Sequence, residues 1–287
     1  MKRSKSRVLA VAAALALTAV PAATADAIPV PDGGGPVADR PNINMSRALL
    51  AAQIDPGRPD TGITFKAKSS VIRVERQLRR RGLLARQYVD GHFGSSTVAA
   101  YAAWQRRLGY SGLAANGLPG ITSLTRLAGR RFDVVRKVNV GPRVQLPGGS
   151  VLNRRTNRMK MAAANRLGRC KFVVTQGSYN AGGVAASGGT HDGGGALDIS
   201  VESGCGARPN AVRALRTVGF AAWFRPTIPG LWDRHIHAIA VNDTDLSAGA
   251  AAQVSEYYRG FDGLSGDGRD NGPQVPKHTW EYYKAHR

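Results

Sequence analysis

The sequence predicts an α+β protein: a small three-helix unit, then a domain of short strands and helices. Three observations lead there. In the first half, apolar residues recur at helical spacing, as in Val71, Val74 and Leu78. In the second half, short apolar runs at 171–176, 196–200, 220–224 and 235–241 read as strands. Between the first two runs lies a long glycine-rich stretch, 177–195, which has too few side chains to build a core and suits a site-bearing loop.

The elements follow in chain order. Lys2, Arg3, Lys5 and Arg7 give a positive start, 8–20 is an apolar run, Pro21 breaks it, and small residues around Ala25 offer a cleavage site. This three-part layout predicts a signal peptide over 1–27. Residues 28–68, rich in Pro, Gly and Asp, are expected to be a linker holding at most a turn or two of helix near Ala48. The three-helix unit covers 69–128. Its first helix ends at Gly82, 90–94 form a tight turn, and Ser96 or Thr97 caps a second helix carrying Val98, Tyr101, Trp104 and Leu108. A turn at 117–120 precedes a short third helix over 121–127. Residues 129–150 read as a second linker. In the domain over 151–262, helices are expected at 153–167, 209–218 and 247–258, with the strands between them. The polar tail, 263–287, is expected to pack loosely.

Composition narrows the setting. With 40 Lys and Arg against 19 Asp and Glu, the net charge of +21 attracts polyanions. No nucleic-acid motif accompanies that charge, and an export signal speaks against such a partner. No segment after the leader reaches the roughly 18 consecutive apolar residues of a membrane span, so no transmembrane segment is expected. The only two cysteines, Cys170 and Cys205, point to a disulfide in an exported chain, free thiols or metal ligation being the alternatives.

The helical unit carries a recognisable pattern: a helix ending at Gly82, then Val89-Asp90-Gly91-His92-Phe93-Gly94 with Thr97, then Trp104-Gln105, then Gly117 with Thr122 and Leu124. Over about sixty residues it resembles the peptidoglycan-binding domain of wall hydrolases.

The second domain holds the chemistry. On a strand, alternate side chains share a face, so His235 and His237 point the same way. Asp198 lies on another strand, with Leu197 and Ile199 facing away from it, and His191 comes from the glycine-rich loop that feeds that strand. Two imidazoles and one carboxylate suit zinc with a fourth position left open. Four candidate groups exceed that set by one, which leaves a histidine of the His-x-His pair to act as general base or to stabilise the tetrahedral intermediate.

The stretch His191-Asp192-Gly193-Gly194-Gly195-Ala196-Leu197-Asp198 resembles the His-x-x-Gly-x-Ala-x-Asp motif of zinc D-alanyl-D-alanine peptidases and murein endopeptidases. His235-Ile236-His237 is similar to the second motif of that group, which includes lysostaphin-like endopeptidases. The resemblance implies a zinc peptidase domain with a small antiparallel sheet flanked by helices. It implies His191, Asp198 and His237 as zinc ligands and His235 as catalytic base. The sequence departs from the pattern in three places. Gly189 stands where Ser is usual, and Arg234 stands where some relatives carry Glu. Asn180 stands where carboxypeptidases of the group carry the Arg of a Ser-Gly-Tyr-Arg segment. Tyr179, Asn180 and Trp232 are the candidate substrate contacts. The expectation is a secreted, monomeric, wall-associated enzyme that acts on peptidoglycan and is held near anionic wall polymers. Carboxypeptidase, endopeptidase and amidase specificities stay open, and a non-catalytic wall-binding protein is the alternative.

Overall fold

The first helix explains why the segment expected to link the leader to the rest does not behave as a linker. The computed structural model describes residues 40–264, 266 and 268–287; the expected signal peptide and the first part of the 28–68 segment lie outside them. Strand β1 (Asn42–Asn44) leads into helix α1 (Met45–Ile54), whose amino end is capped by the Asn44 side chain accepting from the Arg47 N–H. Met45, Leu49, Ala51 and Ile54 are buried, and so is Gln53. An alanine-rich run buries on several sides at once, so it lacks the one-sided stripe that identifies a surface helix.

Helices α2 (Lys68–Arg80), α3 (Ser95–Arg107) and α4 (Ile121–Ala128) occupy the 69–128 region as expected. The turn at 90–94 is pinned from two sides. The Gly91 N–H donates to buried Glu75, and the Phe93 N–H donates to buried Asp55. Trp104 and Gln105 tie α3 to the approach of α4. The Trp104 Nε1–H donates to the Ser123 carbonyl, and the Gln105 amide bridges the Leu118 carbonyl and the Gly117 N–H.

The 129–150 region is also structured. It contributes β2 (Asp133–Val135), which pairs in parallel with β1, and β3 (Arg143–Gln145), which pairs with β4 (Val151–Asn153). Helix α5 (Arg154–Asn165) is capped by Asn153. There follow β5 (Val174–Gln176), β6 (Ala196–Ser200), α6 (Ala211–Thr217), β7 (Phe220–Arg225), β8 (His235–Ala240), α7 (Ala248–Arg259) and α8 (Trp280–Ala285). Strands β5 to β8 form one antiparallel sheet in the order β5-β6-β8-β7.

The two-residue period of the strands divides this sheet into two faces. Leu197, Ile199, Phe220, Ala222, Ile236, Ala238 and Ala240 turn one way and pack against Met159 of α5, Leu215 of α6 and Trp280 of α8. Ala196, Ala221, Trp223 and Ile239 turn the other way. They share a hydrophobic core with Val254 and Tyr257 of α7 and with Leu49, Val71, Tyr101 and Leu124 of the helical unit. The helical unit and the sheet domain therefore meet in one core and are not joined by a free tether. Polar contacts run across the same junction. The Gln53 amide donates to the Asp243 carbonyl and accepts from the Asn242 N–H, and the Ser255 hydroxyl donates to the Ile54 carbonyl.

The tail also differs from expectation. Trp280 is buried. Glu281 holds Arg155 in a two-point ion pair, with N–O distances of 2.9 Å. The sequence gives no warning of this, because the acidic partners of two buried arginines lie more than fifty residues downstream of them. No helix among the described residues is long and apolar enough to cross a membrane.

Candidate metal centre

Strand register builds most of the site. Directly paired residues on antiparallel strands project to the same side. Gln176 pairs with Asp198, Asp198 with His237, and His237 with Trp223, so these four form one row across the sheet. Ser200, His235 and Arg225 form the next row. His191 arrives from the loop between β5 and β6, which is folded tightly over the sheet. The Asn180 N–H donates to the His191 carbonyl, the Tyr179 N–H to the Gly193 carbonyl, and the Gly194 N–H to the Asp245 carbonyl. Glycine is required here. A Cβ on Gly193 would stand 2.2 Å from the Asp245 carbonyl oxygen, and Gly195 has φ +82° with the Leu246 side chain against it.

Three imidazole nitrogens converge on one carboxylate oxygen. Asp198 Oδ1 lies 2.7 Å from His237 Nδ1, 3.3 Å from His191 Nε2 and 3.7 Å from His235 Nε2. The outer nitrogen of each ring is already engaged. His191 Nδ1–H donates to the Gly177 carbonyl at 2.9 Å, His237 Nε2–H to Gln253 Oε1 at 2.9 Å, and His235 Nδ1–H to the Asp233 carbonyl at 2.7 Å. The inner nitrogens therefore present lone pairs to one another and to a carboxylate, an arrangement that calls for a cation among them. The buried His191 Nε2 has no hydrogen-bond partner.

One ligand atom each from His191, Asp198 and His237 can be chosen with all three within 4.8 Å of one another, and this group could hold a metal ion. Their charge states suit ligation, which needs neutral imidazole and ionised carboxylate. Burial lowers the His237 pKa, and this outweighs the opposing pull of the Asp198 carboxylate. Burial pushes the Asp198 carboxyl up, but the His191 and His237 rings against it hold it well below the usual carboxylate range.

Gln253 of α7 escapes sequence reading, because nothing near His237 in the chain marks a residue one helix further on as its partner. Its removal gives a direct test. Gln253→Ala is expected to weaken metal affinity by about 10–100-fold, the usual effect of losing the outer partner of a ligating histidine. Competition for zinc against a chromophoric chelator would measure it, and circular dichroism would confirm that the fold is kept.

The other candidates separate. Trp232 lines the small cleft over the metal-binding group, about 80 Å³ in volume, and its ring meets His235 edge-on with centroids 6.3 Å apart. Tyr179 and Asn180 do not line it. Tyr179 has φ +60°, and its hydroxyl donates to Asp245 at 2.7 Å with the Arg143 guanidinium 3.9 Å above the ring. It faces a separate cavity of about 440 Å³ between the sheet domain and the helical unit. The Asn180 amide packs against Gly183, and its contribution to the site is the backbone bond that holds His191. Two residues missed by sequence reading line the cleft: Gln176 and Arg225. Both are polar ends of short strands, and only the register tells which face they join.

Cys170 and Cys205 form a disulfide with Cα atoms 5.3 Å apart, closing a loop that contains both His191 and Asp198. Comparison with known proteins leaves the site to be read from its own chemistry, for no family model, curated protein or solved structure matches this chain.

Proposed function

We propose that this chain is an exported, zinc-dependent hydrolase that cuts a peptide bond in bacterial peptidoglycan. The observation that carries the reading is the convergence of His191, Asp198 and His237, with His235 one row away and outside the ligand set. Two histidines and one carboxylate are a zinc set that leaves a coordination position for chemistry. The spacing of these residues resembles that of zinc D-alanyl-D-alanine peptidases and murein endopeptidases, and the helical unit resembles peptidoglycan-binding domains. A disulfide, a signal-like leader and a net charge of +21 support a place outside the cell, near anionic wall polymers.

A zinc ion held there would supply a Lewis acid that polarises the scissile carbonyl and lowers the pKa of a neighbouring water. His235 does the proton transfer. Its Nδ1–H is fixed on the Asp233 carbonyl, so Nε2 carries the free lone pair and faces the site. It takes the proton of the attacking water as the C–O bond forms, and returns it to the leaving amine as the C–N bond breaks. The Trp232 ring stands edge-on to His235, with centroids 6.3 Å apart.

The test uses the purified chain on purified bacterial wall. One zinc should bind per molecule and new amino groups should appear; a chelator should abolish both, and added zinc should restore both. Full zinc occupancy with no released amine overturns the enzymatic reading and leaves a wall-binding protein.

A further inference from the structure

The helical unit concentrates positive charge that its own acids do not meet. Over 69–128 there are nine arginines, no lysine and two acidic residues. Both acids are spent inside the unit. Glu75 is buried and accepts from the Gly91 N–H and the Thr97 hydroxyl, and Asp90 accepts from the His92 N–H. On the outer side of α2, Arg76, Arg79 and Arg80 are exposed, and they alone line a shallow hollow of about 520 Å³. Among the described residues no carboxylate lies within ion-pair distance of these three, whereas Arg155, Arg216 and Arg234 of the sheet domain each hold an acid. Arg79 and Arg80 fall in the last turn, where the helix dipole favours cations. Arg76 stands three and four residues before them, so it adds like-charge repulsion. An anion bridging the three turns that repulsion into attraction.

We propose that the outer side of α2 binds the anionic phosphodiester polymer of the bacterial wall through Arg76, Arg79 and Arg80. This rests on the wall-associated part of the reading above and deepens it by naming a surface and the chemistry of its partner; it does not require hydrolysis. A guanidinium stays charged and presents a planar fork that matches phosphate oxygens. Positions 76 and 80 are roughly 6 Å apart along the helix axis, at about 1.5 Å per residue, so successive arginines reach successive charges of one chain. The hollow has no aromatic or apolar side chain with which to stack a base or hold a peptide side chain. The Trp104 ring is already covered by Arg81, whose guanidinium lies 4.7 Å above it. What remains is recognition of repeated charge, which a polymer with one phosphate per unit supplies.

Brief cosedimentation of the full chain on ice with purified wall tests this, before and after hydrofluoric acid strips the phosphodiester polymer and leaves the peptidoglycan. The unaltered chain should bind native wall about 10-fold or more tighter than stripped wall. Its affinity for soluble poly(glycerol phosphate) should fall about 10–20-fold between roughly 50 and 200 mM salt, as three counterion-releasing contacts require. The combined change Arg76→Gln, Arg79→Gln and Arg80→Gln should erase the preference for native wall and flatten the salt dependence, and the three Arg→Lys changes should keep part of both. A control removes the same charge elsewhere: Arg166→Gln, Arg169→Gln and Arg208→Gln, all exposed on the sheet domain, should bind native wall like the unaltered chain. Equal losses in the two triple variants overturn the proposal, because net charge and not this surface would then be responsible. Equal binding to native and stripped wall overturns it too, and that comparison needs no variant to fold. So does a preference for double-stranded DNA over the wall polymer at matched phosphate. A chain that binds native wall through these arginines yet releases no amine supports this surface and defeats only the hydrolase reading.

Discussion

Replacing His235 with Ala is expected to slow hydrolysis of wall peptides by roughly 10²–10⁴-fold, the usual share of a general acid–base residue, with zinc still bound one to one. The two halves of this expectation have separate grounds. Metal is retained because His191, Asp198 and His237 complete a ligand set without His235. The ring also carries little of the core, since it lies at the outer row of the sheet with 15% of its side chain exposed. Activity is lost because Nε2 is the one imidazole nitrogen facing the site that is not needed for the metal, and its orientation is fixed by the Asp233 carbonyl. Metal analysis and steady-state kinetics on the same preparation would check both. Loss of zinc together with activity would make His235 a ligand, and unchanged turnover would remove it from the mechanism.

The largest effect on stability is expected from Asp270→Ala, a loss of about 3–5 kcal/mol, because it strands a buried charge. Asp270 accepts from Arg216 Nη2 at 2.7 Å, and both side chains are 1% exposed. Arg216 spends its other donors on the Ala222 and Pro273 carbonyls and lies over the Tyr257 ring at 5.1 Å. It cannot turn to water when its partner is removed. Urea unfolding of the variant would measure the loss. The double change Arg216→Met with Asp270→Leu should recover much of it, since an apolar pair replaces a buried ion pair at little cost. A shift within about 0.5 kcal/mol for Asp270→Ala would place that residue at the surface.

What could be read in the sequence is what depends on short spans. The strand at Ala196–Ser200 and the shared face of His235 and His237 follow from a period of two, and the glycines before Asp198 mark a close approach that the backbone uses. What could not be read depends on partners far away in the chain. Gln253 meets His237 only because α7 lies over the sheet, and Arg225 joins the cleft only through its register with His235. Position along the chain makes Tyr179 and Asn180 candidate substrate contacts; in the structure Tyr179, with left-handed backbone, faces another cavity. The segment at 28–68 reads as a linker because it is rich in Pro, Gly and Asp, yet α1 within it is buried and shares a core with α7.

The fusion of the helical unit with the sheet has a consequence for how a wall fragment would be met. If the helices grip the polymer, the blade is set at a fixed offset from the grip, because Leu49 and Tyr257 belong to the same interior. Reach is then decided by geometry and not by the sweep of a flexible leash. Under the proposed wall-hydrolase reading, such an arrangement would work as a caliper, trimming stems that fall at the right distance along the strand and passing over those between.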